Sequence, residues 1–135
     1  MKKLLALTLA LLFFVCAVSC GNDTDPWEDA LYTEDTALGE GKTTVTVKVE
    51  VEKNTVTFTL KTDKENLADA MNEHGLIEGT EGDYGLYIKK INGITADYDK
   101  DQRYWLLYVN GEYAMASADN TEITENAVYT FKYTK

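Results

Sequence analysis

Val45-Thr46-Val47-Lys48-Val49-Glu50-Val51 places a valine at every second position, with a polar or charged residue between each pair. A period of two puts the four valines on one side of an extended chain, so the stretch reads as a half-buried strand. Beyond it the chain can turn at Lys53-Asn54, and Val56, Phe58 and Leu60 repeat the alternation, which predicts a hairpin. Thr62-Asp63-Lys64-Glu65 has the spacing of a capping box, and Leu67, Ala70 and Met71 then fall on one helical face. Gly75 supplies the left-handed residue past the helix, with Leu76 and Ile77 placed to pack back against it.

Strands return in the second half. Tyr84 to Ile91 is aromatic and aliphatic and ends at the turn signal Asn92-Gly93; Tyr104 to Val109 runs into Asn110-Gly111, a two-residue hairpin signal before Glu112 to Met115. A last strand is predicted over Ala127 to Tyr133. The order strand, strand, helix, then several strands predicts an α+β domain over residues 42–135, β-grasp-like, in which a mixed β-sheet wraps one α-helix. One helix and one sheet face must then supply nearly all of the core.

N-terminal to this domain, residues 21–41 carry Asp23, Asp25, Glu28, Asp29, Glu34, Asp35 and Glu40 with no lysine or arginine, and hold the single proline, Pro26. Like charges and sparse apolar residues predict a flexible, solvated linker over residues 20–41, with Trp27, Leu31 and Tyr32 as the exceptions. Residues 1–19 read as a signal peptide, with Lys2 and Lys3 ahead of an apolar run from Leu4 to Val18 that is short for a membrane-spanning helix. Ala17-Val18-Ser19-Cys20 resembles the lipobox of bacterial lipoproteins. That resemblance implies lipidation at Cys20, a membrane partner through the lipid, and a lipid-anchored address on the extracytoplasmic face of the cell membrane. Two or three acyl chains give a stable anchor.

The chain of 135 residues has a net charge of −10, and without the leader 11 basic residues face 23 acidic ones. Nucleic acid is therefore excluded as an electrostatic partner, since phosphate contacts need a basic face. With one histidine and both cysteines in or beside the leader, the usual nucleophilic and zinc constellations lack their parts, which predicts no catalytic residues, no metal site and no enzyme. Asp97-Tyr98-Asp99-Lys100-Asp101 is the best acidic cluster, because alternate carboxylates on a loop can converge on calcium. Gln102 stands where the turn glycine of an EF-hand belongs and Tyr108 where its bidentate glutamate belongs, so a solvated loop is expected. His74, one residue before Gly75, suits a helix C-terminus, where a cationic imidazole is favoured.

Aromatic residues carry the remaining signal. In Tyr104-Trp105-Leu106-Leu107-Tyr108-Val109 both faces are apolar or amphipathic, as in a central strand. Tyr84, Tyr87, Tyr104, Tyr108 and Tyr113 either form cross-strand pairs or supply a flat amphipathic surface for a planar ligand or a protein.

Tyr84-Gly85-Leu86-Tyr87-Ile88, Ile91-Asn92-Gly93-Ile94-Thr95-Ala96, the polar loop Asp97 to Arg103, Tyr104-Trp105, Asn110-Gly111 and Val128 to Tyr133 together resemble the transcobalamin-like C-terminal domain. That domain is also found, without an established function, in secreted and lipid-anchored proteins of Gram-positive bacteria. The resemblance implies a β-grasp-like fold and a ligand-binding face at Tyr84, Trp105, Asn110, Gly111, Tyr113 and Met115. It implies no required cofactor, with cobalamin or another small planar molecule as the ligand. The alternative expectation is a cell-surface adhesion or assembly module that binds protein or glycan.

Overall fold

The computed structural model describes residues 25–135. Strand β1 is Thr36–Leu38, β2 Thr43–Val51 and β3 Asn54–Thr62; helix α1 is Leu67–Asn72. Strands β4 (Ile77–Gly82), β5 (Gly85–Ile91) and β6 (Ile94–Thr95) follow, then helix α2 (Tyr98–Asp101) and strands β7 (Tyr104–Val109), β8 (Glu112–Tyr113) and β9 (Val128–Thr134). Among the described residues, six strands form one sheet in the order β1-β3-β2-β9-β7-β8, and β4-β5-β6 form a second. The fold is α+β and dominated by sheet.

The valine alternation becomes the centre of the core. Val45, Val47, Val49 and Val51 are fully buried, as are Phe58 and Leu60 opposite them on β3. Burying a valine or phenylalanine side chain is worth about 1.5–3 kcal/mol, so this hairpin face and the helix that covers it carry much of the stability. β2 also pairs in parallel with β9, which puts the last strand of the chain beside the first long one. Parallel neighbours need a long crossover, and α1, the second sheet and β7 all lie within it.

Three local expectations shift. The β2–β3 turn sits one residue early, with Glu52 at φ 57° and Val51 paired to Asn54. Helix α1 starts after Asn66, not at Thr62: the Asn66 side chain accepts from the Asp69 N–H at 2.8 Å and is the N-cap. Thr62 is buried and otherwise engaged, accepting from the Lys64 N–H and donating its hydroxyl to Glu73 Oε1 at 3.0 Å. The helix ends as expected, Gly75 at φ 67° sending its N–H to Asn72 O while Leu76 N–H reaches Met71 O. Finally, β8 stops at Tyr113, although Ala114 N–H still reaches Leu107 O at 2.9 Å.

The larger correction concerns the spacer. Pro26–Asp29 form a 3-10 turn capped by Asp25, and β1 adds to the edge of β3 in parallel register. Trp27 Nε1 donates to Val51 O at 3.2 Å, and Tyr32 meets Phe58 edge to face with ring centroids 5.4 Å apart. Residues 26–38 are thus a strap bound to the domain. Trp27, Ala30, Tyr32 and Leu38 pack against the core while Leu31 stays exposed, and backbone pairing supplies the rest. The signal peptide over 1–19 and the lipidation of Cys20 lie outside the described residues.

Candidate functional site

Strand alternation divides the expected ligand residues between two surfaces. On β7, Trp105 shares a face with Leu107 and packs on the Tyr133 ring at 5.2 Å, toward the core. Tyr113 pairs with Tyr108 and stands on the opposite, outer face. Trp105 and Tyr113 therefore do not meet one ligand from the same side. Asn110 and Gly111 make the β7–β8 turn at φ 51° and 89°, and Asn110 ties that turn to β9: its backbone N–H donates to Val128 O at 2.7 Å and its side-chain Oδ1 accepts from Val128 N–H at 2.8 Å. The Asn110 side-chain oxygen is thus spent on holding β9.

Tyr84 and Met115 do come to one end of the domain. Tyr84 sits at the β4–β5 hairpin and is 93% exposed; Met115, in the segment after β8, is 90% exposed. What brings the two segments together is the 3-10 turn Ala118–Asn120. Asp119 Oδ1 accepts from the Leu86 N–H at 3.0 Å and from the Ser117 hydroxyl at 2.6 Å. Gly85, at φ 110°, lies so close to Ser117, Asp119 and Asn120 that a Cβ there would collide with them. Asp119 is the residue the sequence reading missed. Nothing in Ser117-Ala118-Asp119-Asn120 distinguishes it from an ordinary polar loop, because its partner Leu86 is remote in sequence.

The Ser117 hydroxyl, and after it the Leu86 N–H, hold the Asp119 carboxyl below its ordinary value of 3.8. A carboxylate with a lowered folded-state pKa contributes stability that is present above the ordinary value and lost as pH falls through the lowered one. Asp119→Ala is expected to cost about 1–2 kcal/mol at neutral pH and to loosen the Tyr84 hairpin. Asp119→Asn, which keeps one acceptor oxygen, costs less and removes this contribution to acid unfolding; denaturant titrations at neutral and acid pH measure both.

At the other end of β5 and β7 an open groove of about 1300 Å³ runs between the strap and the α2 loop. Trp27, Glu52, Thr95, Asp101, Arg103 and Tyr133 are among its walls. Arg103 stacks 4.9 Å from the centre of the Tyr133 ring and lies 4.0 Å from Glu52. Burial, reinforced by Asp101 and Glu52 and opposed by Arg103, raises the Tyr133 phenol above its ordinary value, so it stays neutral through the physiological range. A smaller hollow of about 390 Å³ lies against Leu31, Leu76, Lys90 and Gly93.

The acidic loop folds as a helical turn. Asp97 Oδ1 caps α2 by accepting from the Lys100 N–H at 3.2 Å, and Gln102 takes the left-handed conformation that closes it. Among the described residues no three His, Cys, Asp or Glu side chains gather as a metal site. His74 turns Nε2 inward beneath the strap near Gly39, where it has no hydrogen-bond partner.

Residues 64–135 match the family described as Domain of unknown function (DUF4430). No curated protein matches the sequence. The fold is similar to that of a crystallised candidate metal-binding protein from Ruminococcus gnavus, with a TM-score of 0.66 and 28% identity over 69% of this chain and 97% of that one. It is also similar to part of haptocorrin, crystallised in complex with Cbi, with a TM-score of 0.55 and 20% identity over 69% of this chain and 25% of haptocorrin.

Proposed function

The chain belongs to the DUF4430 family, and we propose that it is a non-enzymatic, lipid-anchored extracytoplasmic binding module whose ligand is flat and cofactor-sized, of the cobalamin class. The observation that carries this reading is the end of the domain where Tyr84 and Met115 stand almost wholly in water on segments fixed by Asp119. Large apolar side chains exposed on such segments are available for a partner, and an aromatic ring and a thioether both suit a planar organic surface. The likeness to haptocorrin, which was crystallised with Cbi, supports the ligand class at the level of fold. The parallel pairing of β2 with β9 beside the β2–β3 hairpin supports a β-grasp-like description. The lipobox-like Ala17-Val18-Ser19-Cys20 supports anchoring through Cys20.

Titration of the chain with cobinamide and with cobalamin tests the reading. The double variant Tyr84→Ala/Met115→Ala is expected to weaken binding about a hundredfold, from the loss of two contacts of roughly 1.4 kcal/mol each, while its melting temperature stays unchanged. No binding of either corrinoid by the folded chain at millimolar ligand sinks it.

A second reading has its own observation. Neither hollow includes Tyr84 or Met115 in its walls, so this end presents side chains instead of a pocket. That geometry favours the alternative of docking on a cell-surface protein or glycan, for which loss of surface capture by the same double variant is the measurement.

A further inference from the structure

The outer face of the large sheet, opposite the core, carries a different chemistry from the rest of the chain. Cross-strand register places Thr46, Lys48 and Glu50 of β2 beside Thr55, Thr57, Thr59 and Lys61 of β3, and beside Val128, Thr130 and Lys132 of β9, with Thr134 further along β9 opposite Tyr104. Tyr104, Leu106 and Tyr108 of β7 and Tyr113 of β8 continue the same face. Tyr98 of α2 reaches it as well, its ring 6.2 Å from that of Tyr104. The aromatic strip runs about 13 Å from Tyr104 to Tyr108, at roughly 3.3 Å per residue, and Tyr98 and Tyr113 extend it at the two ends. The face therefore joins a tyrosine strip to a bed of threonine hydroxyls.

Its strands carry more bases than acids. Among their outward residues Lys48, Lys61 and Lys132 stand against Glu50, with Asp35 at the Thr57 N–H and Glu125 at the Thr44 N–H on the borders of the face, in a chain whose net charge is −10. Lys132 lies 4.7 Å over the Tyr108 ring and 3.9 Å from Glu50. A long, half-exposed ion pair of this kind contributes little, so Lys132 is free to exchange its partner for a ligand anion. We infer that this face binds an anionic polysaccharide, a glycan bearing carboxylate, sulfate or phosphate groups. The tyrosine rings stack on the C–H faces of the sugars, the threonine hydroxyls meet the sugar hydroxyls, and Lys48 and Lys132 meet the anions. The surrounding acidic surface repels polyanions elsewhere and confines such a chain to this face.

The inference concerns a face separate from the Tyr84–Met115 end, so it stands or falls apart from the corrinoid reading. The full chain, kept soluble in mild detergent, is titrated calorimetrically at low salt with polygalacturonate, with its fully methyl-esterified form and with polyglutamate. Binding to polygalacturonate is expected to be about tenfold tighter than to either comparator, to weaken about tenfold in Lys48→Gln/Lys132→Gln, and to tighten in Thr57→Lys. Tyr104→Phe keeps the stacking, whereas Tyr104→Ala weakens binding to the glycans but not to polyglutamate. Absence of polygalacturonate binding, equal affinity for polyglutamate, or affinity unchanged by Lys48→Gln/Lys132→Gln overturns it.

Discussion

Asn92→Ala is expected to release the strap and to lower stability by about 3 kcal/mol. Asn92 is fully buried, and its amide works as a surrogate strand partner: Oδ1 accepts from the Tyr32 N–H and Nδ2 donates to the Tyr32 carbonyl, both at 2.9 Å. Its backbone adds two more ties, N–H to Leu76 O at 2.8 Å and C=O from Leu31 N–H at 2.9 Å. Removing the amide leaves a donor and an acceptor of Tyr32 unpaired in a partly buried setting, at about 1–3 kcal/mol each. For a domain of this size a loss of about 3 kcal/mol lowers the melting temperature by about 12–24 °C. Part of the cost comes from the backbone, since Asn92 lies at φ 54°, a region that alanine tolerates less well than asparagine. Asn92→Gly separates the terms: it removes the amide but relieves the strain. Asn92→Asp replaces the donor with an oxygen facing the Tyr32 carbonyl and is expected to be at least as damaging as alanine at neutral pH. Amide exchange across residues 26–38, measured alongside the melting temperature, shows whether the strap is what is lost. A drop under about 1 kcal/mol in Asn92→Ala would falsify the clamp.

Tyr129→Ala is expected to cost about 3–5 kcal/mol, in the range of a large aromatic deleted from a core. Tyr129 is among the largest fully buried side chains and lies on β9, the strand that β2 and β7 share. Its hydroxyl donates to Glu122 O at 2.7 Å and accepts from the Thr124 N–H at 3.1 Å, which fastens the loop before β9 to the strand itself. Tyr129→Phe keeps the ring and loses only these bonds, at about 1–2 kcal/mol. Denaturant midpoints for the two variants separate packing from hydrogen bonding; equal losses would mean that the hydroxyl alone accounts for the effect.

Where one face of a strand is buried, the sequence states its architecture openly. The valines of β2, the hairpin with β3, the Asn92-Gly93 and Asn110-Gly111 turns and the Gly75 helix end are all local patterns whose meaning does not depend on distant residues. The strap is different. Its acids mark it as solvated, and that is correct for their side chains, but its attachment depends on Val51 O, Phe58 and an amide 60 residues away. Thr62 shows the same limit on a smaller scale: the capping spacing is present, but Glu73, eleven residues on, takes the hydroxyl and Asn66 caps the helix. For the site, alternation reveals that Trp105 and Tyr113 differ in phase once the Asn110-Gly111 hairpin sets their pairing. The tie between Asp119 and Leu86 has no local signature at all.

Tension applied at residue 25 meets the strap before it meets the rest of the domain. The load enters through Trp27 and Tyr32 and passes by way of the Asn92 amide to the β5–β6 turn, while the short parallel β1–β3 ladder is pulled along its length. The central β2–β9 ladder lies beyond that route. Under drag the strap behaves as a mechanical fuse: it peels first, lengthens the reach of the domain by up to about 3.5 Å for each residue freed, and leaves the Tyr84–Met115 end and the outer sheet face folded.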